Sequence, residues 1–231
     1  MVNIDTVYQT VLALANKEQR GYITPQEFNL FANQAQMSIF EQYFYDLNQF
    51  LRIPGNDTAY SDMVNLLEEK ISLFEVAGAS VSNILPSDLY KLQQVQWLNS
   101  IKGRRYTAEY VDRKTWLEMK SVPLVKPTDT RLVYLRTANG ITVIGDTTKN
   151  ADITCNYIRK PKNPNWTYVV INEKALYNPN VGDHQDFELH ESEQTELVTR
   201  ILSLAGITLK DQALYQVSTT ETSRQSQQQK Q

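Results

Sequence analysis

Catalytic and ligand-binding motifs draw on a short list of residue types, and this sequence is poor in them: one cysteine, two histidines and eight glycines in 231 residues. The lone cysteine, Cys155, can close no internal disulfide, suits a reducing compartment and makes a structural zinc site improbable on ligand supply. No Gly-x-Ser-x-Gly elbow, His-Glu-x-x-His pair, Walker-type glycine loop or dinucleotide fingerprint occurs. No run approaches the ~18 apolar residues of a membrane span. Met1-Val2-Asn3-Ile4-Asp5 lacks a basic stretch leading into an apolar one, so the expectation is a chain beginning near Met1 without secretion signal or membrane anchor. Positive charge is not in excess either. Lys and Arg number 23 against 26 Asp and Glu, for a net charge of -3, which argues against a protein held on nucleic acid by general electrostatics.

What is present is ordinary globular material: 41% hydrophobic and 21% charged residues, enough to bury a core in one domain or two modest ones. Ile4, Val7, Tyr8, Val11, Leu12 and Ala15 form a helical stripe, with Asn3 or Asp5 as cap and Gly21 as the stop. Thr24, Pro25 and Glu27 make a capping box that starts a second helix, whose apolar sector from Phe28 to Leu47 needs partners on more than one side. Pro54-Gly55-Asn56-Asp57 ends it. Met63, Leu66, Leu67, Ile71 and Phe74 predict a third helix ending near Gly78.

Beyond Gly78 the period turns alternating. Val95-Gln96-Trp97, Tyr106 to Val111, Leu132 to Arg136, Ile141 to Ile144, Ile153-Cys155-Tyr157 and Trp166 to Val170 read as strands, with Asn139-Gly140 as a type I′ hairpin turn. Asp112 caps a short helix carrying Trp116, Leu117 and Met119, and Pro123 and Pro127 bracket an irregular connection. Leu197, Val198, Ile201, Leu202 and Ala205 restore the helical stripe, with Ser192 as N-cap and Gly206 as the stop. Ser218 to Gln231 has no large apolar residue and is expected to be a mobile tail. The predicted fold class is α+β: N- and C-terminal helices packed as a bundle, with a central small antiparallel β lobe. The expected divisions are a helical body over 1–78, a β-rich lobe over 79–185, a C-terminal helical part over 186–217 packing on the first helices, and a flexible tail over 218–231.

No side-chain constellation points to an enzyme. His184, Asp186, Glu188 and His190 would share one face of a strand, but at ~3.3 Å per residue its ends lie ~20 Å apart, too far for one ion. An acidic lead-in to the last helix explains them better. Cys155 alternates with Ile153 and Tyr157 as a buried small hydrophobe would. Catalytic, cofactor and metal residues are therefore assigned to none. Two basic clusters remain, Lys102, Arg104 and Arg105 beside Tyr106, and Arg159-Lys160-Pro161-Lys162 near Trp166; each could contact DNA phosphate or, more readily, acids on a protein neighbour. Thirteen tyrosines and three tryptophans supply interface-grade surface wherever they are not core. The interface candidates are Lys102, Arg104, Arg105, Trp116, Pro127, Asn139, Arg159, Lys160 and Trp166.

Several segments resemble the ring, or head-to-tail adaptor, proteins of podovirus-like tailed phages, particularly the crAss-like ones. They are Asn16-Lys17-Glu18-Gln19-Arg20-Gly21-Tyr22-Ile23-Thr24-Pro25-Gln26-Glu27-Phe28-Asn29, Leu85-Pro86-Ser87-Asp88-Leu89-Tyr90, Pro127-Thr128-Asp129-Thr130, Cys155-Asn156-Tyr157-Ile158-Arg159-Lys160-Pro161, and Asp186-Phe187-Glu188-Leu189-His190-Glu191-Ser192-Glu193. The resemblance implies a non-enzymatic virion protein without cofactor, assembled in the bacterial host cytoplasm. It implies a homo-oligomeric ring, typically of twelve copies, between portal and tail proteins around the channel through which genomic DNA passes. A head-to-tail ring needs two complementary surfaces per subunit; the loop from Ser121 to Thr130, the Asn139-Gly140 tip and the C-terminal segment are the expected reaching elements. A capsid-decorating or tail-tube subunit, or, in another class, a nucleic-acid-binding regulatory protein using the two basic clusters, would fit the same composition.

Overall fold

A computed structural model describes residues 1–17, 23–52, 62–81, 84–99, 102–137, 140–149 and 151–208. The chain divides into two compact units, one of Met1–Leu73 with Pro161–Gln231, the other of Phe74–Lys160.

The first unit is mainly helical. Helix α1 spans Ile4–Lys17 and α2 Pro25–Arg52. The capping box at the start of α2 is formed: the Thr24 backbone N–H donates to Glu27 Oε2 at 3.0 Å and the Glu27 N–H to Thr24 Oγ1 at 3.3 Å, so two otherwise orphaned donors are satisfied reciprocally. Helix α3 covers Asp62–Ser72, and α5 covers Gln194–Thr208 after a 3-10 turn at Glu191–Glu193 capped by His190. Helix α5 packs on both α1 and α2, and α3 packs on α2. Ile4, Val7, Tyr8, Val11, Phe28, Ile39, Phe40, Leu197 and Ile201 are buried, as their helical spacing requires. Gly206 does not stop α5, which runs through it. A hairpin of β8, Tyr168–Ile171, and β9, Lys174–Tyr177, belongs to this unit and turns through Asn172 and Glu173, both at positive φ (50° and 63°), the backbone signature of a I′ turn.

The second unit is a single curled sheet of seven strands in the order β1-β7-β2-β3-β4-β5-β6. Its strands are β1 Glu75–Val81, β2 Leu89–Asn99, β3 Arg104–Tyr110, β4 Leu132–Thr137, β5 Gly140–Ile144, β6 Thr148–Lys149 and β7 Ile153–Arg159. This corrects the expected architecture. The molecule is α+β, but the sheet dominates it, and a helical bundle with a small antiparallel lobe is not what is built. Nor is the sheet wholly antiparallel: β3 and β4 run parallel, with Ala108 opposite Leu132, across a connection holding α4, Arg113–Ser121.

The sheet was underestimated because its strands carry weak local patterns. In β1 only Val81 is buried, and β2 is rich in Gln and Lys with only Val95 and Asn99 buried. Their stability comes from pairing with β7, which lies between them and follows both by more than fifty residues in the chain. Phe74, read as the end of a helical stripe, lies in the turn immediately before β1, and Gly78 occupies a bulge in that strand at φ 68° rather than a helix terminus. One face collects Val81, Val95, Ala108, Leu132, Tyr134, Ile141, Val143, Ile153, Cys155 and Tyr157. On the other face of β4, Val133 and Leu135 join Val111 beneath Trp116, Met119 and Ile144. Covering both faces explains why Leu132-Val133-Tyr134-Leu135 is a continuous apolar run instead of an alternating one.

Candidate interaction surfaces

The nine interface candidates occupy different places. Lys102, Arg104 and Arg105 are exposed at the β2–β3 turn. Arg159 is half-buried with its guanidinium 5.8 Å from the Phe74 ring centre, and exposed Lys160 donates its backbone N–H to the Asp88 carbonyl at 2.7 Å. The two basic clusters are not brought together. Arg104 pairs with Asn99 at one end of β2 and Arg159 with Leu89 at the other, a separation of about 30 Å at ~3.3 Å per residue.

Trp116 is half-buried against the Val111, Val133 and Leu135 cluster, and Pro127 is buried. Asn139 lies outside the described residues, as does the segment 218–231. Trp166 is 2% exposed and ties the first unit together. Its indole Nε1 donates to Asp5 Oδ1 at 2.9 Å and its backbone N–H to Asn29 Oδ1 at 2.9 Å. Its ring stacks with Tyr168 and Tyr177 at 5.7 and 5.8 Å and meets Tyr8 at 4.3 Å.

The acidic and histidine-bearing stretch is spent on structure. Asp186 Oδ1 accepts the Ile4 N–H at 2.8 Å, buried Glu188 accepts the Lys162 N–H at 2.8 Å, and His190 caps the 3-10 turn. Among the described residues, no group of three or more His, Cys, Asp or Glu is placed to hold a metal ion. Cys155 is buried, and burial pushes its thiol up. Among the described residues, no helix is long and apolar enough to cross a membrane.

A polar cluster that the sequence did not reveal lies inside the helical unit. Lys70 pairs with buried Glu193, and Arg200 with Glu196, donating through Nε at 2.9 Å and also reaching Ser38 and Gln42. Desolvation raises the Glu196 carboxyl, against the opposing pull of Arg200, and burial beside Glu193 and Glu196 pushes the Tyr43 hydroxyl up. Every charge here has a partner within the cluster, so it locks helices rather than offering a reactive group.

The exposed apolar side chains are more informative. Helix α4 has no buried residue. Its Trp116 and Met119 side rests on the sheet, while Leu117 is 58% exposed and the following loop presents Val122, Leu124 (94% exposed) and Val125. Arg113, Lys114, Lys120 and Lys126 surround these side chains, all exposed, with Glu118 the one acid in the segment. On the helical unit, α3 buries Val64, Leu67 and Ile71 and turns Leu66 (49% exposed) outward, with Leu73 (50%) just beyond its end. Exposed Glu68 and Glu69 stand between them. Periodicity alone had drawn Leu66 into a core stripe; the spacing Arg113, Leu117, Lys120 was the available signal for the other surface.

The contrast extends to the whole units. Residues 74–160 hold 13 Lys and Arg against 8 Asp and Glu, net +5, and the remainder holds 10 against 18, net -8. A near-neutral chain is thus a basic unit and an acidic one. No protein-family model matches the sequence, and no curated protein matches it significantly.

Proposed function

We propose that the chain is a structural virion protein that forms a multi-subunit ring in the portal-tail connector of a tailed phage, linking head to tail around the DNA channel. One observation carries the reading: the chain offers two different outward surfaces, an apolar stripe set among acids on α3 and an apolar stripe set among bases on α4 and its loop. Unlike surfaces on one subunit are what a head-to-tail ring requires, whereas a two-fold dimer uses one surface twice. Exposed aliphatic side chains cost solubility unless a partner covers them. The segment resemblance supplies the phage context, the expectation of about twelve copies, and the portal and adjacent ring or tail proteins as neighbours.

The test is mass measurement of the purified protein, alone and with its virion neighbours, followed by electron cryomicroscopy of the particle. Twelve copies of the 26.6 kDa chain give a closed species of about 320 kDa. A protein that stays monomeric with those neighbours present, or is missing from purified particles, ends the proposal. Density on the capsid surface or along the tail tube would favour the decorating or tube reading instead. The net positive charge of residues 74–160 favours a second reading, a nucleic-acid-binding regulator. Salt-sensitive DNA binding lost on neutralising Arg104, Arg105, Arg159 and Lys160 would support it.

A further inference from the structure

We infer that the basic, apolar face of α4 and its following loop docks on the acidic, apolar face of α3 in a second copy of this chain. The inference rests on the ring reading above and specifies the pair of surfaces that closes it.

Three observations carry it. The first is shape and length. Helix α4 has 9 residues and α3 has 11, about 14 and 16 Å long at 1.5 Å per residue, so their outward stripes are of matching extent. The second is the apolar content. Leu117 and Leu124 on one side and Leu66 and Leu73 on the other are half to almost fully exposed, and each pair lies beside the charges named above. Burying such residues against each other supplies the favourable free energy that exposed ion pairs alone do not.

The third is charge complementarity. Arg113, Leu117 and Lys120 fall at spacings of four and three and therefore share a helix face, with Lys114 adjoining it. Leu66 and Glu69 fall three apart on α3 and share a face, with Glu68 adjoining and Leu73 following just past the helix end. None of Arg113, Lys114, Lys120, Lys126, Glu68 and Glu69 forms an ion pair with another described residue, although the Lys114 charge also acts on the exposed Asp112 carboxylate that caps α4. The one base among the acids of α3, Lys70, is engaged by Glu193. A second copy is the occupant this chemistry fits, because the same molecule carries both complements, and opposite net charges on the two units steer unlike surfaces together.

The experiment uses two full-length charge-reversed variants. One carries Lys114→Glu and Lys120→Glu, the other Glu68→Lys and Glu69→Lys. Sedimentation velocity at low and high salt measures assembly of wild type, each variant alone, and their equimolar mixture; circular dichroism shows that each variant is folded. These side chains are exposed, so folding should survive. The expected result is wild-type assembly that weakens with salt, and for each variant alone a rise of about tenfold or more in the apparent dissociation constant, as lost attraction becomes repulsion. Mixing should restore assembly, because each acidic α4 then meets a basic α3 and each basic α4 an acidic α3.

Variants that assemble like wild type, or a mixture that stays dissociated, would overturn the docking while leaving a ring held by other surfaces. Wild type that never associates, alone or with its virion neighbours, would remove the ring reading and the docking together. A short DNA duplex added in the same titration provides a further arm. Binding that is lost in the Lys114→Glu, Lys120→Glu variant, with self-assembly unchanged, would assign the basic face to nucleic acid and overturn the inference.

Discussion

Replacing Trp166 with alanine should unfold the helical unit or bring it close to unfolding. The side chain is 2% exposed and touches three structures at once: α1 through Asp5 and Tyr8, α2 through Asn29, and the β8–β9 hairpin through Tyr168 and Tyr177. Truncating a buried tryptophan costs about 3–5 kcal/mol through lost transfer energy and the cavity left behind. Here three aromatic partners lose their contacts and the Asp5 carboxylate loses its indole donor, which places the expectation at the upper end. Since domains are stable by only about 5–15 kcal/mol, that is a large share. Trp166→Phe keeps a ring in place and removes the Nε1 bond, so it should cost about 1–3 kcal/mol. Urea unfolding followed by circular dichroism gives both numbers, and hydrogen exchange should show protection falling first in α1, the start of α2 and the hairpin. A loss below about 1 kcal/mol for Trp166→Ala would refute the reasoning, because it would mean that the stacked rings and the Asp5 bond do not hold these elements together.

Gly145 tests a close approach in the sheet unit. A Cβ there would meet Asp129 Oδ1 at 2.5 Å and Leu132 Cδ2 at 2.8 Å, so Gly145→Ala should cost about 1–3 kcal/mol, and an unchanged thermal midpoint would count against it. Thr24→Ala removes half of the capping box and should destabilise by about 1 kcal/mol in thermal unfolding; an effect of a few tenths would show the box to be idle. Glu196 has its carboxyl raised above the ordinary value of 4.5 by desolvation, so its contribution to stability is fully present below that pH and is lost as pH rises through the raised value. The stability of wild type relative to Glu196→Gln should therefore decline across weakly acidic pH, and a difference that grows with pH would contradict this. Cys155 should react with a thiol reagent only on unfolding, and rapid labelling of the native protein would show that β7 is not the interior strand described.

The sequence by itself determined the features that arise within one turn or one strand. The capping box of α2, the helical stripe of α1, the Asp112 cap of α4 and the pairing of β4 with β5 were legible, because the residues that specify each lie within a few positions of one another, but Gly140 is not the turn residue it was expected to be: it opens β5 opposite Thr137 at φ 151°, and Asn139 lies outside the described residues. The lone Cys155 was legible as core for the same reason, through its alternation with Ile153 and Tyr157. Tertiary structure alone decided how much of the chain is sheet. Strands β1 and β2 hold few buried residues and acquire their conformation from β7, and nothing local to a Gln-rich segment reports a partner more than fifty residues away. It also decided which apolar residues are left uncovered: Leu66 and Leu117 sit in helical patterns like the buried residues of α3 and the half-buried Trp116 and Met119 of α4, and only packing turns one face of each helix inward and leaves the other to solvent. Trp166 shows the converse. A tryptophan beside a basic run looks like a surface side chain until three elements close around it, since burial is a property of what packs on a residue and not of the residue itself.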